Sequence, residues 1–294
     1  MHWIKIKNSK IRVYGKKGKL LPKGMAEEHT AFLHNLLSND IKGMANYTMT
    51  YNLWLRQNGF PIGEFYVLKL GNSYLLDTPL DRSFVLEEFS RLKLSMRVYF
   101  EALDMDHVFV FGEGARDFIL SSFGVELKEG EVKEMDGVLV VRNDIRLREE
   151  GYDIIGGNLN LNLKEGEEIK EEDFEHERIL RMVPKLGKEL KEGFSPLEAC
   201  LLKYAISLTK GCYVGQEAIA RVHYRGRPAR TLALFEGEEL SEDQVIKSGE
   251  KKVGIITSVS PKGHVALGYI LRSSLQAPLS LEDGREIKLI KTCD

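Results

Sequence analysis

The sequence predicts an α+β protein in which a long mixed portion is followed by a small β-barrel. Two observations carry this. Helical and strand-like periodicities alternate irregularly through the first 180 residues, which favours segregated α+β layers over a parallel doubly wound sheet. After Pro228 only short β runs remain, separated by Gly, Pro-Lys-Gly and Asp-Gly turns, as in a small barrel. The boundary expected from this change of character divides residues 1–227 from 228–294.

In order, Trp3, Ile4, Ile6, Ile11 and Val13 among lysines read as strands broken at Gly15 and Gly18. Ala26–Leu37 reads as a helix with Phe32, Leu33, Leu36 and Leu37 on its apolar face. Asn46–Leu55 and Phe60–Leu70 are strands around the Asn58-Gly59 turn, and Ser73–Asp77 is another. Helices are predicted over Arg82–Leu94 and Ala115–Phe123, and strands over Val108–Phe111 and Val138–Val141. Ser195-Pro196-Leu197-Glu198 offers an N-cap hydroxyl, a proline at the first helical position and a capping-box acid. From it a helix should run to Gly211, with Leu197, Leu201, Tyr204 and Leu208 on one face and Cys200 packed beside them. The barrel strands should be Thr231–Phe235, Val253–Ser258, His264–Ile270 and Glu286–Lys291.

Composition narrows the function classes. The 294 residues carry 43% hydrophobic and 29% charged side chains, as a folded domain pair does, and the net charge is -2. That balance argues against a nucleic-acid or membrane binder by bulk electrostatics. Charge is unevenly spread: eight Lys/Arg and no carboxylate in Met1–Met25, 17 acidic against 8 basic residues in Glu126–Arg178, and six basic residues against one Glu in Lys203–Arg230. Three cysteines, Cys200, Cys212 and Cys293, are too few for a disulfide framework, fit a reducing cytoplasm, and leave Cys293 an inert or exposed thiol. No apolar run is long enough to span a membrane and no signal-peptide core begins the chain, so a cytoplasmic monomer is expected.

Metal-ligand spacings are absent: there is no CxxC, no His-x3-His and no HExxH. His29, His34 and His176 read as structural or surface residues, and no intrinsic metal is expected. Gly112-Glu-Gly114 between a strand and a helix has Asp117 where a dinucleotide fingerprint needs its last glycine. The most unusual local sequence is Lys210-Gly-Cys-Tyr-Val-Gly-Gln-Glu217. Its glycines permit positive φ and close approach, and Lys210, Arg221 and Arg225 are the kind of basic neighbours that favour a thiolate at Cys212. The alternative is a buried cysteine in a tight turn. Downstream, Arg221-Val-His-Tyr-Arg-Gly-Arg-Pro-Ala-Arg230 alternates basic with apolar residues. On a strand this makes a basic stripe, either a solvated face or a seat for a carboxylate or phosphate tail.

The Lys210–Glu217 run, followed by Arg221 and Arg225-Gly226, resembles the signature of the YgfZ-type folate-binding proteins, which are related to the glycine-cleavage T-protein and include mitochondrial iron–sulfur assembly factors. Phe32–Asp40, Asn58-Gly59 to Leu76-Asp77, Gly151-Tyr152-Asp153, Phe194–Glu198, Val253–Ser258 and His264–Gly268 extend the resemblance over nearly the whole chain. It implies a three-subdomain cloverleaf of two interleaved α+β subdomains and a barrel. It further implies a tetrahydrofolate or one-carbon derivative as ligand, with Cys212 as the functional thiol. Lys210, Tyr213, Gln216, Glu217, Arg221, Arg225, Glu198, Tyr152 and Glu64 would form the folate surroundings. The implied role is support of iron–sulfur cluster assembly or repair, and thereby tRNA modification, through transient contact with iron–sulfur proteins or assembly factors. Direct binding of nucleic acid is not expected. No reaction is firmly implied; if the protein is an enzyme, it is a tetrahydrofolate-dependent one-carbon transferase. The alternative is an aminomethyltransferase like the T-protein itself. There Gly63 and Glu64 stand where the T-protein carries paired acids, and Glu64 alone would serve as acid or base.

Overall fold

The computed structural model describes residues 1–15 and 27–294. Ala26, the expected start of the first helix, and Gly18 lie outside the described residues. The chain divides into two compact units. The first comprises Met1–Leu55, Gly63–Glu168 and Tyr204–Val214; the second comprises Arg56–Ile62, Ile169–Lys203 and Gly215–Asp294. This division is discontinuous in sequence, unlike the single boundary at residue 227.

The elements that build the first unit are, in order, β1 (His2–Lys5), β2 (Ser9–Gly15), α1 (Glu28–Leu36), β3 (Thr48–Leu55), β4 (Pro61–Leu70), β5 (Ser73–Thr78), α2 (Arg82–Leu92), β6 (Val98–Leu103), β7 (Asp106–Phe111), α3 (Ala115–Phe123), β8 (Val132–Met135), β9 (Val138–Arg142), β10 (Gly151–Gly156) and β11 (Glu167–Glu168). They form two sheets, β11-β1-β7-β10-β9-β8 and β3-β4-β5-β2-β6. The consecutive strands β1 and β2 sit in different sheets, so the two layers interleave along the chain. Alternation explains the register. Val108, Val110, Tyr152 and Ile154 all face one apolar cluster with Ala115 and Ile119 of α3. Helix α2 starts where Asp81 accepts the backbone N–H groups of Ser83 and Phe84 at 2.9 and 3.1 Å. It buries Val85 and Phe89, and Phe89 meets Phe32, Trp54, Phe65 and Phe100.

A buried ionic cluster ties the two sheets of this unit together. Lys10 on β2 and Asp77 on β5 pair at 2.9 Å, and Arg146 bridges Asp77 at 2.7 Å and Asp153 on β10 at 2.9 Å. Asp153 also meets His107 of β7 at 2.9 Å and accepts from Asn143 at 2.6 Å. With His107 held neutral by burial, two cations face two carboxylates and the charges balance. The Arg146 guanidinium lies 4.3 Å above the Tyr66 ring.

The second unit contains α4 (Glu171–Leu180), α5 (Leu202–Ala205), α6 (Gln216–Tyr224), β12 (Arg230–Glu236), β13 (Val245–Ser248), β14 (Lys251–Val259), β15 (Val265–Leu271), β16 (Ser280–Leu281) and β17 (Lys288–Thr292), although the last two residues of α5 fall in the first unit. The strands form an antiparallel sheet of order β16-β13-β14-β15-β12-β17. Register shifts at Ile246/Lys247, Ile256/Ser258 and Leu234/Phe235 curl it into a half-barrel around Phe235, Ile246, Ile256 and Ile270. Glu189 anchors α4 to this sheet. Its carboxylate receives Arg178 at 3.0 Å and the hydroxyls of Thr257 and Ser258 at 2.6 Å each.

Three expectations are corrected here. First, the helix expected from Ser195 to Gly211 is a single turn followed by the four-residue α5. The capping contact forms, with Ser195 N–H donating to the Glu198 carboxylate at 2.9 Å. The turn then closes at once: Cys200 N–H donates to the Leu197 carbonyl and Leu201 N–H to the Pro196 carbonyl, around Cys200 at φ 57°. This is a Schellman closure with cysteine in the position glycine normally fills. Second, Cys200 is not a packed thiol on a helix face, and Cys293 is not a free one. The two are joined in a disulfide with a Cα–Cα distance of 6.0 Å. A separation of 93 residues hides such a pair from any local reading. Third, Arg221–Tyr224 belongs to α6 rather than to a strand. A spacing of four between Arg221 and Arg225 satisfies a strand's alternation and a helix's turn equally, and helix-favouring Gln216–Ala220 decides for the helix. α6 starts after Gly215 at φ 85°, and Gly59, at φ 82°, lets the hairpin turn come within 3.0 Å of the Ala218 methyl.

Candidate functional site

The signature loop is built around Lys210. Helix α1 leaves its last carbonyls without intrahelical donors. The Lys210 ammonium supplies them, donating to the carbonyls of His34 and the C-cap Leu37 at 2.5 Å each, and also to the Asn39 carbonyl just past the helix at 2.7 Å. Burial pulls its pKa down to about 7 against the attraction of Asp40. The three carbonyl dipoles oppose this, because only the ammonium carries three donors. The same ammonium sits 4.8 Å over the buried Tyr213 ring, whose hydroxyl has no hydrogen-bond partner and whose pKa burial pushes up to about 12. Val214 N–H donates to the Asn35 carbonyl at 3.3 Å. Between these two anchors stands Cys212, exposed and unpaired. Since the other two cysteines are bonded to each other, it is the protein's one free thiol. Lys210 is therefore a helix cap and not a free cation for an anionic tail.

Replacing Lys210 by Met strands three carbonyls and removes the cap. Unfolding in urea is expected to show a loss of about 2–4 kcal/mol, while Cys212 remains the only thiol that reacts. A loss below about 1 kcal/mol would show that the carbonyls find other donors.

The second place of chemical interest lies on β3 and β4. Glu64 is buried on β4 and receives the Tyr51 hydroxyl at 2.5 Å. Burial and the adjacent Glu64 hold Tyr51 firmly neutral. Glu64 and Tyr51 thus form a buried hydrogen-bonded pair of an acid and a phenol.

The remaining expected site residues fall in different surroundings. Gln216, Glu217 and Arg221 lie on α6 and Arg225 at its end. Glu217 and Arg221 form an exposed i,i+4 pair at 3.1 Å, and Arg225 is exposed. Glu198 is buried and pairs with Arg230 at 2.8 and 3.0 Å, so its oxygens are committed to that guanidinium and to Ser195. Tyr152 is a core residue of β10 whose hydroxyl donates to Glu150 at 2.5 Å. The buried cluster around Arg146 was not expected from sequence, because its members come from five separate segments without local spacing. Among the described residues one trio, Cys200, Cys293 and Asp294, is close enough to share a metal ion, and its two sulfurs are bonded to each other. No helix among the described residues is long and apolar enough to cross a membrane.

No protein-family model matches the chain. A functionally uncharacterized protein of Aquifex aeolicus (strain VF5) is 54% identical over 146 residues, which is 48% of this chain and 98% of that protein. The mitochondrial iron–sulfur cluster assembly factor IBA57 of Homo sapiens is 43% identical over 128 residues, 40% of this chain and 35% of that one. The tRNA-modifying protein YgfZ of Escherichia coli O6:H1 is 34% identical over 80 residues, 24% of each. The matches to these two named relatives span about a quarter to a third of their own lengths. The crystal structure of the glycine cleavage system aminomethyltransferase T from Bartonella henselae superposes with a TM-score of 0.80 over 98% of this chain and 84% of that one, at 17% identity. The fold is thus T-protein-like.

Proposed function

This chain belongs to the YgfZ-type, T-protein-like family, and on that premise we propose that it binds a tetrahydrofolate or a one-carbon derivative and supports iron–sulfur cluster assembly or repair. The observation that carries the reading is Cys212: a single free thiol, exposed, on a loop whose two ends are hydrogen-bonded to α1. A thiol so displayed is available to a partner or to a bound one-carbon unit. Glu64, fixed by Tyr51, is the carboxylate assigned to the ligand's polar edge. Arg221 and Arg225 are assigned to a glutamate tail. In this reading Gln216, Glu217 and Tyr213 shape the loop around the ligand, while Glu198 and Tyr152 act through packing. Each sheet supplies one subdomain of the cloverleaf, with residues 1–227 as the folate-binding region and 228–294 as the barrel. Client iron–sulfur proteins, a consequent effect on tRNA modification and a cytoplasmic location complete the proposal.

Calorimetric titration with tetrahydrofolate, 5,10-methylene-tetrahydrofolate and unrelated anions tests it. Saturable binding of reduced folates is expected. Polyglutamylated forms should bind more tightly by a margin that shrinks with salt. Bound folate should slow alkylation of Cys212, and Cys212→Ala should keep the fold while failing to restore iron–sulfur enzyme activity in a deletion strain. No binding at millimolar folate, together with full complementation by Cys212→Ala, would overturn the reading.

A further inference from the structure

One place in the second unit carries ligand chemistry that the proposed function leaves unused. Cys200, in the Schellman closure, and Cys293, just past β17, are half-buried and joined through their sulfurs. Asp294 adds a carboxylate, so that two sulfurs and one oxygen lie within 4.8 Å of one another. Strand β12 holds both cysteine segments independently of the bond. The Leu232 N–H donates to the Glu198 carbonyl at 2.8 Å, and the Cys293 N–H donates to the Leu232 carbonyl at 3.0 Å. The carboxylate is oriented too: the Thr231 hydroxyl donates to one oxygen at 2.9 Å and Arg272 to the other at 2.5 Å. Carboxylates that bind metals are ordinarily held by outer partners of this kind, and each oxygen keeps a further lone pair. The Cα atoms of the two cysteines are 6.0 Å apart, within disulfide range. Two thiolates on one tetrahedral cation, each about 2.3 Å from it, need their sulfurs only about 3.8 Å apart. Rotation of the side chains supplies that change once the bond is cut, and their partial exposure gives an ion a way in.

We propose that reduction of the Cys200–Cys293 bond converts this place into a binding site for one thiophilic divalent cation of the zinc class. Both thiolates and the Asp294 carboxylate hold the ion, and water fills the fourth position. A dithiol reductant opens the site: its two electrons cleave the S–S bond, its two thiol protons pass to Cys200 and Cys293, and it leaves as a disulfide. The cation then displaces those two protons as two sulfur–metal bonds form. Hard cations such as magnesium are rejected, because two of the three protein ligands are sulfur. Reoxidation joins the sulfurs and expels the ion, so occupancy follows the redox poise of the surroundings. The ligands come from segments 93 residues apart, which is why no local metal spacing marks them. Cys212 is not among the ligands, and the site does not depend on the folate reading.

Co²⁺ is the probe, added without air to full-length protein that has been reduced with a dithiol and freed of it, and to protein left oxidised. The reduced protein is expected to bind one Co²⁺ per chain, with thiolate-to-cobalt charge-transfer absorption and the visible bands of a tetrahedral ion. The oxidised protein should show neither. Zn²⁺ should displace the cobalt and bleach the bands, while Mg²⁺ in large excess should not. Cys212→Ser should behave as the parent, Cys200→Ser and Cys293→Ser should lose the charge-transfer band, and Asp294→Asn should weaken binding by roughly tenfold or more. Zn²⁺ should also return part of the urea midpoint lost on reduction, in the parent and not in Cys293→Ser. The same spectra are taken after refolding the reduced chain with cobalt present, so that loss of the fold on reduction does not hide the site. No charge-transfer band in either reduced preparation, the same band in the oxidised protein, or parent-like binding by Cys293→Ser would overturn the assignment.

Discussion

Arg146→Met is expected to lower the free energy of unfolding by about 3–5 kcal/mol, because among the described residues it leaves Asp77 and Asp153 buried with Lys10 as their one cation. The methionine fills comparable volume, so the loss reads charge and not packing. The pH dependence gives an independent check. Burial alone would raise both carboxyl pKa values. For Asp77 the opposing pull comes from Lys10 and Arg146, and for Asp153 from Arg146 and the hydrogen bond to His107, and both groups end below the ordinary carboxylate range. A carboxylate with a depressed folded pKa contributes stability that is complete above its unfolded value, about 4, and lost as pH falls toward the folded value. Acidification below pH 4 should therefore destabilise the unmodified protein steeply. In Arg146→Met the same acidification should have a flattened or reversed effect, since protonation then relieves unpaired buried charge. Denaturant titrations between pH 2.5 and 7 decide this. A variant within 1 kcal/mol of the parent, with an unchanged acid slope, would show that the cluster contributes nothing as a unit.

Reducing the Cys200–Cys293 bond is expected to remove about 4–5 kcal/mol, the loop-closure entropy of a 93-residue separation. Under denaturing, non-reducing conditions one thiol per chain should titrate, and three after reduction. The Cys293→Ser variant should match the reduced protein in urea, and Cys212→Ser should leave the unreduced stability unchanged. Three reactive thiols in the untreated protein would refute the pairing.

The regular elements were legible because their signals are local. Val85 and Phe89 repeat at helical spacing after the Asp81 cap, and the hairpin around Asn58-Gly59 announces itself in two residues. The signature loop stood out in the sequence, and its Cys212 is exposed and free. Its chemistry was only half legible. Lys210 looked like a cation for a ligand, yet it spends its charge on the end of a helix more than 170 residues earlier. Helix α6 was misread because a four-residue spacing of arginines carries no period of its own. The Schellman closure was invisible because Cys200 replaces the glycine that would mark it. The ionic cluster and the disulfide depend on contacts across 69 and 93 residues, for which no window of sequence holds a signal.

The discontinuous make-up of the two units bears on how the chain is born. The first unit needs Tyr204–Val214 before it is complete, and the second draws Arg56–Ile62 from a hairpin made long before its sheet exists. The first cannot finish before Val214 has emerged, well after most of its strands, and the second must wait longer still. Val98–Leu103 and Ser9–Gly15 must pair across some 90 residues, and β12 waits for β17. Such remote pairings bring their loop-closure cost forward and their reward late, which makes for slow maturation with sheet edges open meanwhile. The clasp from Lys210 to the end of α1 joins segments synthesised early and late, and so it closes near the end of that process.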